Sequence, residues 1–212
     1  MPVDDKALAT SAADALRQVV DLPRRADPRR DGLTGLLDNR TLHRALTGKI
    51  RTANRRGDDI GLLFLDLDRF KHVNDRHGHV IGSRILSQVA RLIGVAARQA
   101  GGFAARYGGD EFVVVLPCVD LDLSLRHAES LRAALEATIL AGGQPPRRRP
   151  LVHVTCTIGA ASLRQQGGDD GALSPERAAT RMLQQADNAM YAAKHAGRNR
   201  VAAADASATG AA

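Results

Sequence analysis

The chain is 212 residues long with 44% apolar and 25% charged side chains; that is enough for one buried core, so no disulfide framework or structural metal is needed to fold it. Its two cysteines, Cys118 and Cys156, exclude a disulfide-rich scaffold and point to a reduced, cytoplasmic compartment; no run approaches the roughly 20 apolar residues of a bilayer span. A net charge of +7 favours polyanionic partners without choosing among nucleotides, nucleic acid and an acidic membrane face.

Leu8, Ala12, Ala15, Val19 and Leu22 alternate at spacings of four and three, which predicts a helix over 4–22 with a weak heptad-like seam. Such a seam either packs on the main domain or pairs with a second copy. The N-terminus carries Asp4, Asp5 and Asp14 and lacks the basic stretch and apolar run of a signal peptide. Pro23 and Pro28 break a charged linker, so the chain divides into a helix and linker at 1–30, one compact domain at 31–202 and a small, polar, disordered tail at 203–212.

Within the compact domain a helix is expected over 39–56, then a buried apolar strand from Ile60 to Asp66. Helical periodicity returns over 82–97, with Ile85, Leu86, Val89, Leu92 and Ile93 on one side. Residues 103–116 read as two strands around Gly108 and Gly109. A helix over 120–140 turns Leu125, Ala128, Leu131, Leu135 and Ile139 inward, and a solvated loop over 142–150 carries Arg147, Arg148 and Arg149. A strand over 152–161, a helix over 175–196 stopped by Gly197, and a short strand over 199–202 complete the order. Hairpin strands segregated among helices predict an α+β fold, a sheet covered by helices.

Three local patterns carry chemistry. Asp66 and Asp68 start on one face of a strand that is otherwise apolar. Asp68 is expected to N-cap a short helix beginning near Arg69, whereas Asp66 has no such task and suits a hard cation. The second pattern, Gly108-Gly109-Asp110-Glu111, is a hairpin tip that brings Asp110 and Glu111 to the sheet end holding Asp66, where three acids repel unless a divalent cation neutralises them. The third sits around the end of the last helix: Asp187, Tyr191, Lys194 and then Gly197-Arg198-Asn199, with cations where a polyphosphate would use them. His43, His72, His127, His153 and His195 show no zinc-like spacing and are read as structural or surface residues. A nucleic-acid-binding role lacks a fold signature and stacking aromatics.

Asp31-Gly32-Leu33-Thr34-Gly35-Leu36, the 64–68 strand, Lys71-His72-Val73-Asn74-Asp75, Gly78-His79-Val80-Ile81-Gly82, Gly108 to Phe112, Thr157-Ile158-Gly159-Ala160 and Ala186-Asp187 through Asn199 occur in the order and spacing of a known family. The chain resembles a GGDEF domain, the catalytic domain of diguanylate cyclases, over about four-fifths of its length. The resemblance implies a mainly antiparallel central sheet with helices around it, a palm-like nucleotidyl-cyclase fold with a ferredoxin-like core. It implies Mg2+ (or Mn2+) on the Asp66 and Asp110 side chains and the Leu67 carbonyl, with Asp110 also activating the attacking hydroxyl and Glu111 supporting metals and phosphates. Backbone N–H groups around Arg69 and Phe70 would hold phosphate. Lys71 would stabilise charge at the reacting phosphate, and Lys194 and Arg198 would grip the outer ones. Asn74 would bond the purine, with His79 close by, and Gly108 and Gly109 would let the nucleotide approach. The implied reaction condenses two GTP into cyclic di-GMP with release of pyrophosphate, each domain of a head-to-head homodimer holding one nucleotide. The competing expectation is a nucleotide-binding module with weak or lost catalysis.

Three departures matter. Ser83 stands where the family usually has an aspartate that reads guanine; serine both donates and accepts, so it tolerates the adenine N1 acceptor. That implies use of ATP beside GTP and a cyclic GMP-AMP product. Gln99-Ala100-Gly101-Gly102 replaces an Arg-x-x-Asp inhibitory product site, so strong feedback by that route is not expected. Leu37-Asp38-Asn39-Arg40 departs from the usual sequence after the first motif, away from the metal site. About 30 leading residues are too few to fold a sensor domain.

Overall fold

Strand β1 (Ile60–Leu67) is buried along its whole length, because helices cover both faces of the sheet it centres. In the computed structural model, which describes residues 29–142, 150–164 and 173–205, that sheet has the order β2-β3-β1-β6-β7, with β2 Phe103–Gly108, β3 Glu111–Pro117, β6 Cys156–Ser162 and β7 Val201–Ala203. β1 runs antiparallel to β3 and β6, β2 to β3, and only β7 pairs parallel, with β6. The expected α+β, mainly antiparallel architecture is therefore present. The 4–22 seam, the arginine triplet at 147–149 and the tail from 206 lie outside the described residues, as does nearly all of the linker.

Alternation along β1 sorts the core into two layers. Leu62 and Phe64 pack with α1 (Asn39–Arg56) and α5 (Pro175–His195); Leu63, Leu65 and Leu67 face α3 (His79–Gln99) and α4 (Leu121–Glu136). Local signals set these helices. Asp38 caps α1 by accepting from the Thr41 amide, and Ser174 caps α5 by accepting from the Arg177 amide, with Pro175 in its first turn. The inner face of α5 is rich in small residues, Ala178, Ala179, Ala186, Ala189 and Ala193, and lies close on β6. A Cβ at Gly159 would sit 1.9 Å from the Ala186 carbonyl oxygen and 2.4 Å from the Met190 nitrogen. Helix α3 is long and apolar enough to cross a membrane by composition, beyond what the sequence suggested. Ile85, Val89 and Ile93 spend that hydropathy on the sheet, each fully buried.

Two expected elements change. The helix over 120–140 ends at Glu136: the Thr138 amide and hydroxyl turn back to the carbonyls of Leu135 and Ala134. Ile139–Ala141 then forms strand β4, paired with β5 (Leu151–His153) in a separate two-stranded sheet. Ile139, expected inward, is 66% exposed, and Leu140 takes the buried position. The strand over 152–161 is likewise two strands, β5 and β6, because the chain changes sheets at Val154 and Thr155. The 82–97 helix begins earlier, at His79, after a short α2 (Phe70–His77) that closes at Gly78.

Candidate active site

Antiparallel pairing sets Asp66 directly opposite Glu111, and the Leu67 amide donates to the Asp110 carbonyl at 3.4 Å. Asp66, Leu67, Asp110 and Glu111 thus share one sheet end, as the strand pattern predicts. Gly109 takes the tip with φ 47°, a left-handed conformation that suits glycine. The tip is fastened from below. Arg106 donates through Nε and Nη2 to the Gly109 carbonyl at 3.0 and 2.6 Å, and through Nη1 to both Asp31 oxygens at 3.3 and 3.1 Å. Asp31 also accepts from the Thr34 amide and hydroxyl. Burial pushes the Asp31 carboxyl up, but these partners outweigh it and hold it below the ordinary range. The local sequence offers one signal for this clamp, an arginine two residues before the paired glycines.

Lys194, in the last turn of α5, places Nζ 2.8 Å from Asp66 Oδ2. Burial raises the Asp66 pKa, with Asp110 and Asp68 adding and the Lys194 ammonium opposing. Glu111 is raised by burial and then by Asp66 and Asp187, and Asp187 by burial, again with Lys194 opposing both. The acids therefore share one field short of positive charge. Among the described residues no three His, Cys, Asp or Glu side chains converge into a closed metal cage. That donor set still fits magnesium, which binds through one or two carboxylates and completes its octahedron with water and substrate phosphates. Asp66, Asp110 and the Leu67 carbonyl are the groups that could hold it.

Beside this cluster lies a cleft of about 450 Å³, walled by Leu33, Phe70, Leu86 and Gly109, with Lys71, Asn74, Asp75, His79, Ser83, Arg106 and Asp110 as its polar groups. Asp110 belongs to both cleft and cluster. Asn74 owes its position to Gly82: a Cβ there would come within 1.9 Å of Asn74 Oδ1. The cleft lining does not include Asp66, Leu67, Glu111, Lys194 or Arg198. Arg69 is exposed and opens α2 at φ 55° without a side-chain cap; Phe70 is buried in the core at the first helical position. Arg198 is exposed at φ 63°, just beyond Lys194.

Asp68 departs from expectation. It does not cap α2, whose N-cap Arg69 makes no side-chain bond. Its carboxylate accepts from the Thr157 hydroxyl at 2.6 Å, the Thr155 hydroxyl at 2.7 Å and the Asn199 amide at 3.0 Å. Three donors converging from β6, the residue just before it and the turn after α5 outcompete one helix-terminal amide.

The sequence profile of "Diguanylate cyclase, GGDEF domain" matches residues 29–200. The chain belongs to the GGDEF family. This GGDEF domain is 37% identical over 172 residues to the diguanylate cyclase DgcP of Pseudomonas aeruginosa, covering 81% of the chain and 23% of that relative. It is 36% identical over 188 residues to the diguanylate cyclase DosC of Escherichia coli, covering 88% of the chain and 37% of DosC. It thus spans well under half the length of these curated relatives. A crystal structure of the GGDEF domain of DgcB from Caulobacter crescentus in complex with c-di-GMP superposes with TM-score 0.73 at 32% identity, covering 88% of this chain and 99% of that one. The signature Gly108 to Phe112 is the fastened hairpin tip. A Cβ on Gly102 would lie 2.1 Å from the Val115 carbonyl oxygen, so this backbone leaves no room there for a side chain.

The Arg106 clamp gives a first expected result. Arg106→Ala frees the Gly109 carbonyl and removes the guanidinium that faces Asp31, lowering stability by about 1–3 kcal/mol. Arg106→Lys does not restore it, because a single ammonium cannot span both partners. Thermal unfolding checks this; a lysine variant as stable as wild type counts against the clamp.

Proposed function

We propose that this domain is a diguanylate cyclase-type nucleotidyltransferase that condenses two GTP into cyclic di-GMP and two pyrophosphates, and that Ser83 extends its substrates to ATP and its products to cyclic GMP-AMP. The reading is carried by one observation: Asp110 lines the cleft with Asn74, His79 and Ser83 and also acts on the facing Asp66 and Glu111 carboxylates.

The cleft takes the purine. Asn74 bonds its edge, His79 lies close to the nucleotide and Ser83 offers a hydroxyl that can donate or accept. Lys71 neutralises charge at the reacting phosphate, the α2 N-terminus around Arg69 and Phe70 offers N–H groups to phosphate oxygens, and Lys194 and Arg198 take the outer phosphates. Asp66, Asp110 and the Leu67 carbonyl would hold Mg2+ (or Mn2+), with Glu111 beside them; bound there, the ion lowers the pKa of the attacking hydroxyl and neutralises phosphate charge. The 3′-oxygen of one nucleotide bonds to the α-phosphorus of the other while the bond to pyrophosphate breaks, and Asp110 draws the hydroxyl proton. Closing the ring repeats the step from the other side, so two domains meet head-to-head, each presenting one nucleotide. The backbone contact at Gly102 supports weak feedback by product at 99–102.

The test is mass analysis of products from purified protein supplied with GTP, ATP or both, with magnesium. Wild type is expected to yield cyclic di-GMP from GTP and the mixed dinucleotide from both. Ser83→Asp restores a charge-assisted bond to guanine of about 1.5–3 kcal/mol and should shift the product ratio toward cyclic di-GMP by about 10- to 150-fold. If wild type never incorporates adenine at equal nucleotide concentrations, the extension to ATP falls and the GTP reaction stands.

A further inference from the structure

Asp68 lies two residues beyond Asp66 in the chain, and both carboxylates hold the end of α5, by different means. Asp66 holds it through an ion pair with Lys194, a contact that phosphate oxygens or a cation would compete for. Asp68 holds it through the Asn199 amide, with both of its oxygens engaged by that amide and two threonine hydroxyls. Three acceptor positions of about four are thereby filled, and Asp68 has little left to offer a metal.

The turn it holds is unusual. Gly197, Arg198 and Asn199 all have positive φ, at 121°, 63° and 44°, and two of them are not glycine, so the turn persists only if its surroundings impose it. The Arg198 amide donates to Ala193 and the Gly197 amide to Lys194. The Asn199 side chain donates to Glu136 at 2.7 Å and accepts from Arg132 at 2.8 Å. The turn is thus tied to α4 by a side chain and to the end of β1 by a backbone amide. It directly follows Lys194 and contains Arg198.

We propose that Asp68 is a positioning residue for the triphosphate: it staples the 197–199 turn to β1, so that Lys194 and Arg198 stay at the site when Lys194 leaves Asp66 for phosphate. The proposal rests on the nucleotidyl-transfer reading and adds to it the residue that keeps the phosphate-gripping cations in place.

The test compares binding of a GTP analogue with a non-hydrolysable α,β-linkage and of GMP to the full chain by calorimetry in magnesium. Asp68→Ala is expected to weaken the triphosphate analogue about 10- to 100-fold, the range for outer supporting groups, and to leave GMP within about twofold of wild type. Asp68→Asn keeps most triphosphate affinity, because its amide oxygen accepts from Asn199 and Thr155 while its NH2 donates to the Thr157 hydroxyl. If Asp68→Ala does not fold, Thr155→Val with Thr157→Val removes two of the three bonds and carries the same comparison. Equal losses for both ligands, or no loss, overturn the staple. An asparagine variant as weak as the alanine one, with a raised magnesium requirement, also overturns it and makes Asp68 a metal ligand. A wild type that binds GMP but gains nothing from the triphosphate removes the transfer reading itself.

Discussion

Asp110→Ala is expected to abolish cyclic dinucleotide synthesis, lowering turnover by at least about 10³-fold, the upper range for removal of one group that stabilises transition-state charge. Asp110 is where the two halves of the site meet: it lines the cleft and adds its charge to the field on Asp66 and Glu111. The contact holding it to β1 is made by its backbone carbonyl, so truncation leaves the hairpin in place. Thermal unfolding of the variant should stay within a few degrees of wild type, separating lost chemistry from lost fold. Product analysis decides the matter; a variant retaining a tenth of the wild-type rate would remove Asp110 from both metal binding and hydroxyl activation.

Gly159→Ala should have the largest effect on stability. β6 lies between β1 and β7, and α5 rests directly on it. The added methyl would meet backbone atoms, the Ala186 carbonyl and the Met190 nitrogen, and no side-chain rotation relieves that. The helix has to lift, opening a gap along the alanines that line it. A cost of about 3 kcal/mol or more follows, or about 6–12 °C in melting temperature for a chain of this size. Lifting α5 also carries Lys194 away from Asp66, so activity should fall before the protein melts. A variant melting within about 2 °C of wild type would mean that α5 shifts freely on β6.

The carboxylate cluster was legible because strand alternation and a two-glycine tip fix register over a few residues. Once the hairpin is drawn, Asp66 must face the residues flanking the tip. The cleft was legible only through the family pattern: His79 and Ser83 stand four apart on α3, but Asn74 comes from α2, and no periodicity joins the two helices. What stayed hidden depends on long-range pairing. Asp68 looks like a helix cap from its neighbours, and its real partners lie 87, 89 and 131 residues away. Ile139 continues the helical spacing of Leu131 and Leu135, and only the facing strand at 151–153 explains why the helix stops earlier. The arginine before the paired glycines is visible in the sequence, but its second partner, Asp31, is 75 residues upstream.

The central position of β1 also shapes how the chain is made. Its neighbours come later: Ile60 pairs with Pro117, and Gly61 pairs with Ser162. During translation this fully buried strand emerges before either flanking strand exists, and it keeps one bare edge until β6 has been synthesised. Over that interval the nascent segment from Ile60 to Leu67 is open to misassociation with other chains.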